Sequence, residues 1–101
     1  MPKFVIERTV PGAAKLGAAE LQSFAQNACA ALDSMGPDVH WIETFVTHDK
    51  LYCVFYAPDE QTLWQLAQQT ECVADRISKV HATVNPEAAG RDPAHPSELR
   101  R

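Results

Sequence analysis

Glu7, Glu43 and His81 carry the donor chemistry of this sequence, on segments that also bear Trp41, Tyr52 and Tyr56. Mixed carboxylate and imidazole donors suit a divalent metal such as nickel or zinc, so Glu7, Glu43 and His81 are the candidate metal ligands. Carboxylates enclosed by aromatic rings would have raised pKa values and could serve as general bases. The plainer alternative pairs both glutamates with Arg8, Lys79 or backbone amides. Trp41, Tyr52 and Tyr56 read either as interface packing or as walls of a ligand cavity, because their polar tips need partners when buried. His40 and His48 fall at strand ends and His95 in a polar tail, where solvent exposure is the expectation.

These side chains need a scaffold, and the order of apolar periods supplies one. Phe4 to Val10 reads as a strand closed by Pro11-Gly12. Gly17 is placed as an N-cap with Glu20 at the position that reaches back to it, and Leu16 and Leu21 are spaced for a hydrophobic staple. Leu21, Phe24, Ala25, Ala28, Leu32 and Met35 keep helical spacing up to a stop at Gly36-Pro37. Val39 to Thr47 and Leu51 to Ala57 form a hairpin around His48-Asp49-Lys50. Pro58-Asp59 opens a second helix with Leu63, Leu66 and Ala67 on one face, and Lys79 to Val84 reads as the last strand. The order βαββαβ predicts an α+β, ferredoxin-like fold: an antiparallel sheet with two helices on one face. The domain is expected over 1–86, with a flexible tail over 87–101 too poor in apolar residues to repay its ordering.

Alternation sorts the faces. An even hairpin loop puts Cys53 with Leu51, Phe55, Ile42, Thr44 and Val46, matched by Phe4 and Ile6 and by Val80, Ala82 and Val84, all under the helices. The other face then carries Val5, Glu7, Trp41, Glu43, Phe45, Tyr52, Val54, Tyr56, Lys79, His81 and Thr83. An odd loop would exchange the hairpin's faces. Glu7 and His81 are expected as neighbours on adjacent strands. So large an aromatic surface predicts a covering sheet, most simply that of an identical chain.

Several short blocks, Met1-Pro2-Lys3-Phe4-Val5-Ile6-Glu7-Arg8 with Pro11-Gly12, Trp41-Ile42-Glu43, Asp49-Lys50-Leu51-Tyr52-Cys53-Val54 and Ala57-Pro58, resemble a family of small bacterial domains of unknown function. Some of its members are described as nickel-binding proteins. The resemblance covers roughly residues 1–87 and implies a ferredoxin-like subunit that pairs into a dimeric α/β barrel. Relatives often carry Glu-His-Ala-Arg followed by Gly-Gly in the second helix, where this chain has Gln65-Leu66-Ala67-Gln68 and Thr70-Glu71. Leu66 replaces the helical histidine, and Glu7-Arg8-Thr9 stands where a His-His pair would lie on the first strand. No nickel site transfers residue by residue.

The reading is therefore a small homodimeric binding protein holding a small ligand or a divalent metal in a sheet-face cavity lined by Glu7, Trp41, Glu43, Tyr52, Tyr56 and His81. The alternative, by analogy of fold, is a cofactor-independent isomerase or monooxygenase using a buried Glu/His pair. A net charge of −4 and a pI of about 5.4 weigh against nucleic acid as a partner. Leu51-Tyr52-Cys53-Val54-Phe55-Tyr56 lacks the basic and glycine residues of an RNA-binding strand, and the turn after the first strand offers no phosphate loop. No apolar run is long enough for a membrane span. Cys29, Cys53 and Cys72 form neither a disulfide framework nor a C-x-x-C motif, and with no signal-peptide pattern the expected compartment is the cytoplasm.

Overall fold

The computed structural model describes residues 1–70 and 73–90. Four strands, β1 (Lys3–Thr9), β2 (His40–Val46), β3 (Lys50–Tyr56) and β4 (Arg76–Lys79), form an antiparallel sheet in the order β2-β3-β1-β4. Helices α1 (Ala18–Met35) and α2 (Glu60–Gln69) complete a ferredoxin-like α+β fold. β1 and β3 bury every second residue: Phe4 and Ile6 on the first, Leu51, Cys53 and Phe55 on the second. Against them pack Leu63, Leu66 and Ala67 of α2. Leucines buried as fully as Leu63 and Leu66 each contribute about 1.5–3 kcal/mol, which is what holds a ten-residue helix that would be marginal alone.

The helix ends follow their local chemistry. The Gly17 N–H donates to Glu20 Oε1 at 3.0 Å, satisfying the chain as it enters α1. Gly36 ends that helix at φ 91°, a region open to glycine and strained for other residues. Asp59 caps α2, its Oδ1 accepting from the Thr62 amide at 2.8 Å and the Thr62 hydroxyl at 2.7 Å. After β1, the Val10 amide donates to the Asp49 carbonyl and the Ala14 amide to the His48 carbonyl, so the first turn docks on the hairpin loop.

The hairpin loop is even, with Val46 opposite Leu51 and the Thr47 amide donating to the Lys50 carbonyl at 2.9 Å. Cys53 accordingly faces the helices. Between Trp41 and Glu43, however, β2 carries a bulge: Trp41 pairs with Phe55 and Glu43 with Val54, leaving Ile42 unpaired. An extra residue inverts everything beyond it. Trp41 is thereby turned from the expected open face to the covered one, where its ring meets Phe24 edge-on at 6.2 Å and its indole N–H donates to Thr44 Oγ1 at 3.0 Å. Ile42 is exposed rather than buried.

The last strand also differs from expectation. Arg76–Lys79 takes the edge beside β1, the Val80 amide still donates to the Lys3 carbonyl at 2.8 Å, and His81 to Val84 runs on beyond the sheet, with Val84 86% exposed. Ile77 fills the core position opposite Ile6, and Lys79 pairs with Phe4, placing it on the covered side. A short 3₁₀ turn, Pro86–Ala89, follows, so the expected boundary near residue 86 falls within described chain, whereas residues 91–101 of the expected tail lie outside the described residues.

Cys53 is 4% exposed and Cys29 is exposed. In a Cys72→Ser background, Cys29 should react rapidly with a thiol reagent and Cys53 only on unfolding. Cys53→Ala should lower stability by about 1–2 kcal/mol in urea titrations, through lost packing.

Candidate functional site

The face of the sheet away from the helices is ordered in rows by strand pairing. One row runs Arg76, Glu7, Tyr52, Phe45; the next Ser78, Val5, Val54, Glu43; a third Lys3, Tyr56, His40. Phe45 is 53% exposed, Tyr56 is exposed, and Tyr52, Val5 and Val54 are half-buried. The Lys3 ammonium lies 5.5 Å from the centre of the Tyr56 ring. An aromatic band flanked by charges therefore faces outward.

Four of the six candidate side chains stand on this face, Glu7, Glu43, Tyr52 and Tyr56, and two do not. Trp41 is on the covered side because of the bulge. His81 lies beyond Lys79, the last paired residue of β4, and it is Arg76 that stands opposite Glu7. At ~3.3 Å per residue, His81 follows Arg76 by roughly 16 Å of extended chain. The neighbouring Glu7/His81 pair expected from the sequence is not formed within the chain. Glu7 and Glu43 are separated by β3 and by one row, roughly 12 Å between their backbones at ordinary strand spacing.

Glu7 has a different partner. The Lys50 Nζ donates to Glu7 Oε2 at 2.7 Å, with the Glu7 side chain 29% exposed. The signal for this pair was present in the sequence, since Lys50 alternates with Tyr52 and so shares the face of Glu7. Arg8 and Lys79, the partners expected for it, both lie on the covered side.

A bound metal needs three or more converging donors. Among the described residues, no group of three His, Cys, Asp or Glu side chains is close enough to hold one. Glu7, Glu43 and His81 are apart, and Glu7 is engaged by an ammonium, which competes with a cation for the same oxygen. The described donors of one chain do not fit a nickel ion. No charged side chain among the described residues is buried, so no dry Glu/His pair of the kind the catalytic alternative requires is present among them. No helix among the described residues is long and apolar enough to cross a membrane.

A family model described as nickel responsive protein SCO4226-like matches residues 4–80. Among solved structures, the chain is similar to SCO4226 from Streptomyces coelicolor A3(2), at 16% sequence identity and a TM-score of 0.69, over 81% of this chain and 99% of that one. Identity that low makes this a likeness of fold. No curated protein matches the chain.

Two ionic contacts fix the pH response of this region. Hydrogen bonding to Glu7, helped by its charge, raises the Lys50 pKa above the ordinary 10.5. At the end of β1, Asp75 Oδ2 accepts from the Thr9 amide at 2.6 Å, and hydrogen bonding by Thr9 lowers the Asp75 pKa below 3.8. A raised amine stabilises the fold fully below its unfolded pKa and ceases to do so as pH climbs through the folded value; a lowered carboxyl does so above its unfolded pKa and stops as pH falls. The stability difference between the parent and Glu7→Gln should therefore be flat from about pH 7 to about pH 10 and close above that in urea titrations. Asp75→Asn should lose less stability than the parent as pH drops below 3.8.

Proposed function

The chain belongs to the nickel-responsive SCO4226-like family, whose model spans residues 4–80, and we propose that it acts as a small homodimeric binding protein whose ligand cavity forms where the open sheet faces of two copies meet. The observation carrying this reading is the row structure of that face. Phe45, Tyr52 and Tyr56 stand outward with Val5 and Val54 between them. Contiguous apolar surface of this kind is unusual on a monomer and marks an interface or ligand surface. A second copy related by a twofold axis presents the same band, so aromatic rings meet aromatic rings.

Such a cavity has walls from Tyr52, Tyr56 and Phe45 and acidic groups from Glu7 and Glu43. It suits a small body that is mostly apolar with one polar handle. Nickel enters the reading through the family's description. Because the described residues of one chain do not gather the donors, a nickel ion held here takes them from both copies, with Glu7 and Glu43 on the face and His81, on the segment that follows β4, as the candidates. Trp41, which packs against Phe24, has no part in this cavity.

Light scattering should give about twice the 11.2 kDa of one chain at micromolar concentration. Phe45→Glu should bring it to a single-chain mass with the circular-dichroism spectrum retained. A parent mass of one chain overturns the dimer. In equilibrium dialysis with nickel chloride, Glu43→Gln and His81→Gln should each abolish binding while leaving the dimer mass unchanged. Parent-like nickel uptake by both variants removes these residues from the site.

A further inference from the structure

The same alternation that buries Phe4 and Ile6 points Arg8 toward the helices, opposite Leu51. A guanidinium at a core-facing position needs partners, since it never loses its charge. The Arg8 carbon lies 5.5 Å from the centre of the Phe24 ring, so one face of the guanidinium rests on an aromatic ring. Its Nε is shut off from solvent and has no hydrogen-bond partner. The one ion pair among the described residues joins Lys50 to Glu7; Asp75 senses the Arg8 charge only weakly and gives its carboxylate to Thr9.

Beside this orphaned donor is a hollow of about 80 Å³ between the helices and the sheet. Its floor is Ile6, Cys53 and Phe55, and its walls include Phe24, Trp41 and Leu66. Arg8, Asn27 and Thr70 are the polar side chains at its boundary. The hollow is reachable: Asn27 and Thr70 also border a wider cleft between α1 and α2, lined by Ala30, Ala31 and Gln69. Small side chains at that mouth, and an α1 in which Ala28 alone among the described residues is buried, leave the passage open.

We propose that this hollow binds a small monocarboxylate with an aromatic or branched aliphatic body. The carboxylate meets the guanidinium of Arg8, whose fork donates to two oxygens side by side, and the body lies among Phe24, Trp41, Phe55 and Leu66. A phosphate dianion would need more donors than one guanidinium and one amide supply, and a cation would be repelled by Arg8. The hollow is about half the ~150 Å³ of an apolar cavity that holds benzene, so a ring seated here extends into the adjoining cleft between α1 and α2. This site is on the opposite side of the sheet from the dimer face, so its test is independent of dimer mass and nickel uptake.

The full chain is titrated calorimetrically with benzoate and with benzyl alcohol, which has the same ring and no charge. Benzoate should bind at least about tenfold more tightly than benzyl alcohol. Arg8→Met should erase that preference, and Ala28→Leu, which fills the hollow from α1, should abolish both. No benzoate binding up to about 10 mM overturns the proposal, as does equal benzoate affinity in the parent and Arg8→Met, or full affinity in Ala28→Leu. Should Arg8→Met fail to fold, the benzoate-to-alcohol ratio in the parent and the Ala28→Leu titration decide the matter.

Discussion

β1 and β3 lie at the centre of the sheet, each hydrogen-bonded on both sides, and their pairing places Ile6 opposite Cys53 and Glu7 opposite Tyr52. Because side chains alternate strictly along paired strands, that register commits one set of residues to the helices and the next to the outside. A shift by one residue would bury Glu7 and Tyr52 and expose Ile6 and Cys53, at a cost no rearrangement of the helices could offset. The docking of α2, the outward aromatic band and the inward turn of Arg8 are all consequences of this one register.

The elements marked by local chemistry were legible in the sequence. Gly17 with Glu20, Gly36 before Pro37, and Asp59 before α2 all do what their residue types suggest, because caps and stops depend on a few neighbouring atoms. The hairpin parity, and with it the face of Cys53, stayed open in the sequence, where His48-Asp49-Lys50 alone would make an odd loop; in the structure Thr47 joins the loop, makes it even and puts Cys53 under the helices. The bulge at Ile42 was not legible, since Trp41 and Ile42 are both apolar and either can face a core. The last strand was misplaced because Val80-His81-Ala82-Thr83-Val84 is the better alternating run, whereas Arg76-Ile77-Ser78-Lys79 is the segment that β1 can reach and that supplies Ile77 opposite Ile6. Tertiary pairing overrode local preference. Those two errors moved Trp41 and His81 off the candidate face, while Glu7, Glu43, Tyr52 and Tyr56, which depend on the central strands or lie on the near side of the bulge, stayed on it.

The two faces differ in kind. The outer one is broad and aromatic, with Glu7 paired to Lys50 at the rim. The inner one is a conventional apolar core interrupted by Arg8 and by the loose seating of α1. In a domain this small a hollow and an unpaired guanidinium both subtract from a narrow margin of stability. An occupant that filled the one and neutralised the other would stabilise the folded state through ordinary binding linkage.

The unpaired Ile42 also bears on what the edge of the sheet can do. β2 is an edge strand, and a regular edge exposes a ladder of amide and carbonyl groups on which another strand can add, the route to sheet extension and fibrils. The bulge breaks that ladder in the first half of β2, and at the opposite edge β4 offers four residues. Neither edge is a good template for strand addition. The geometry thus discourages open-ended growth along the sheet, and the face-to-face pairing proposed above would close after two copies.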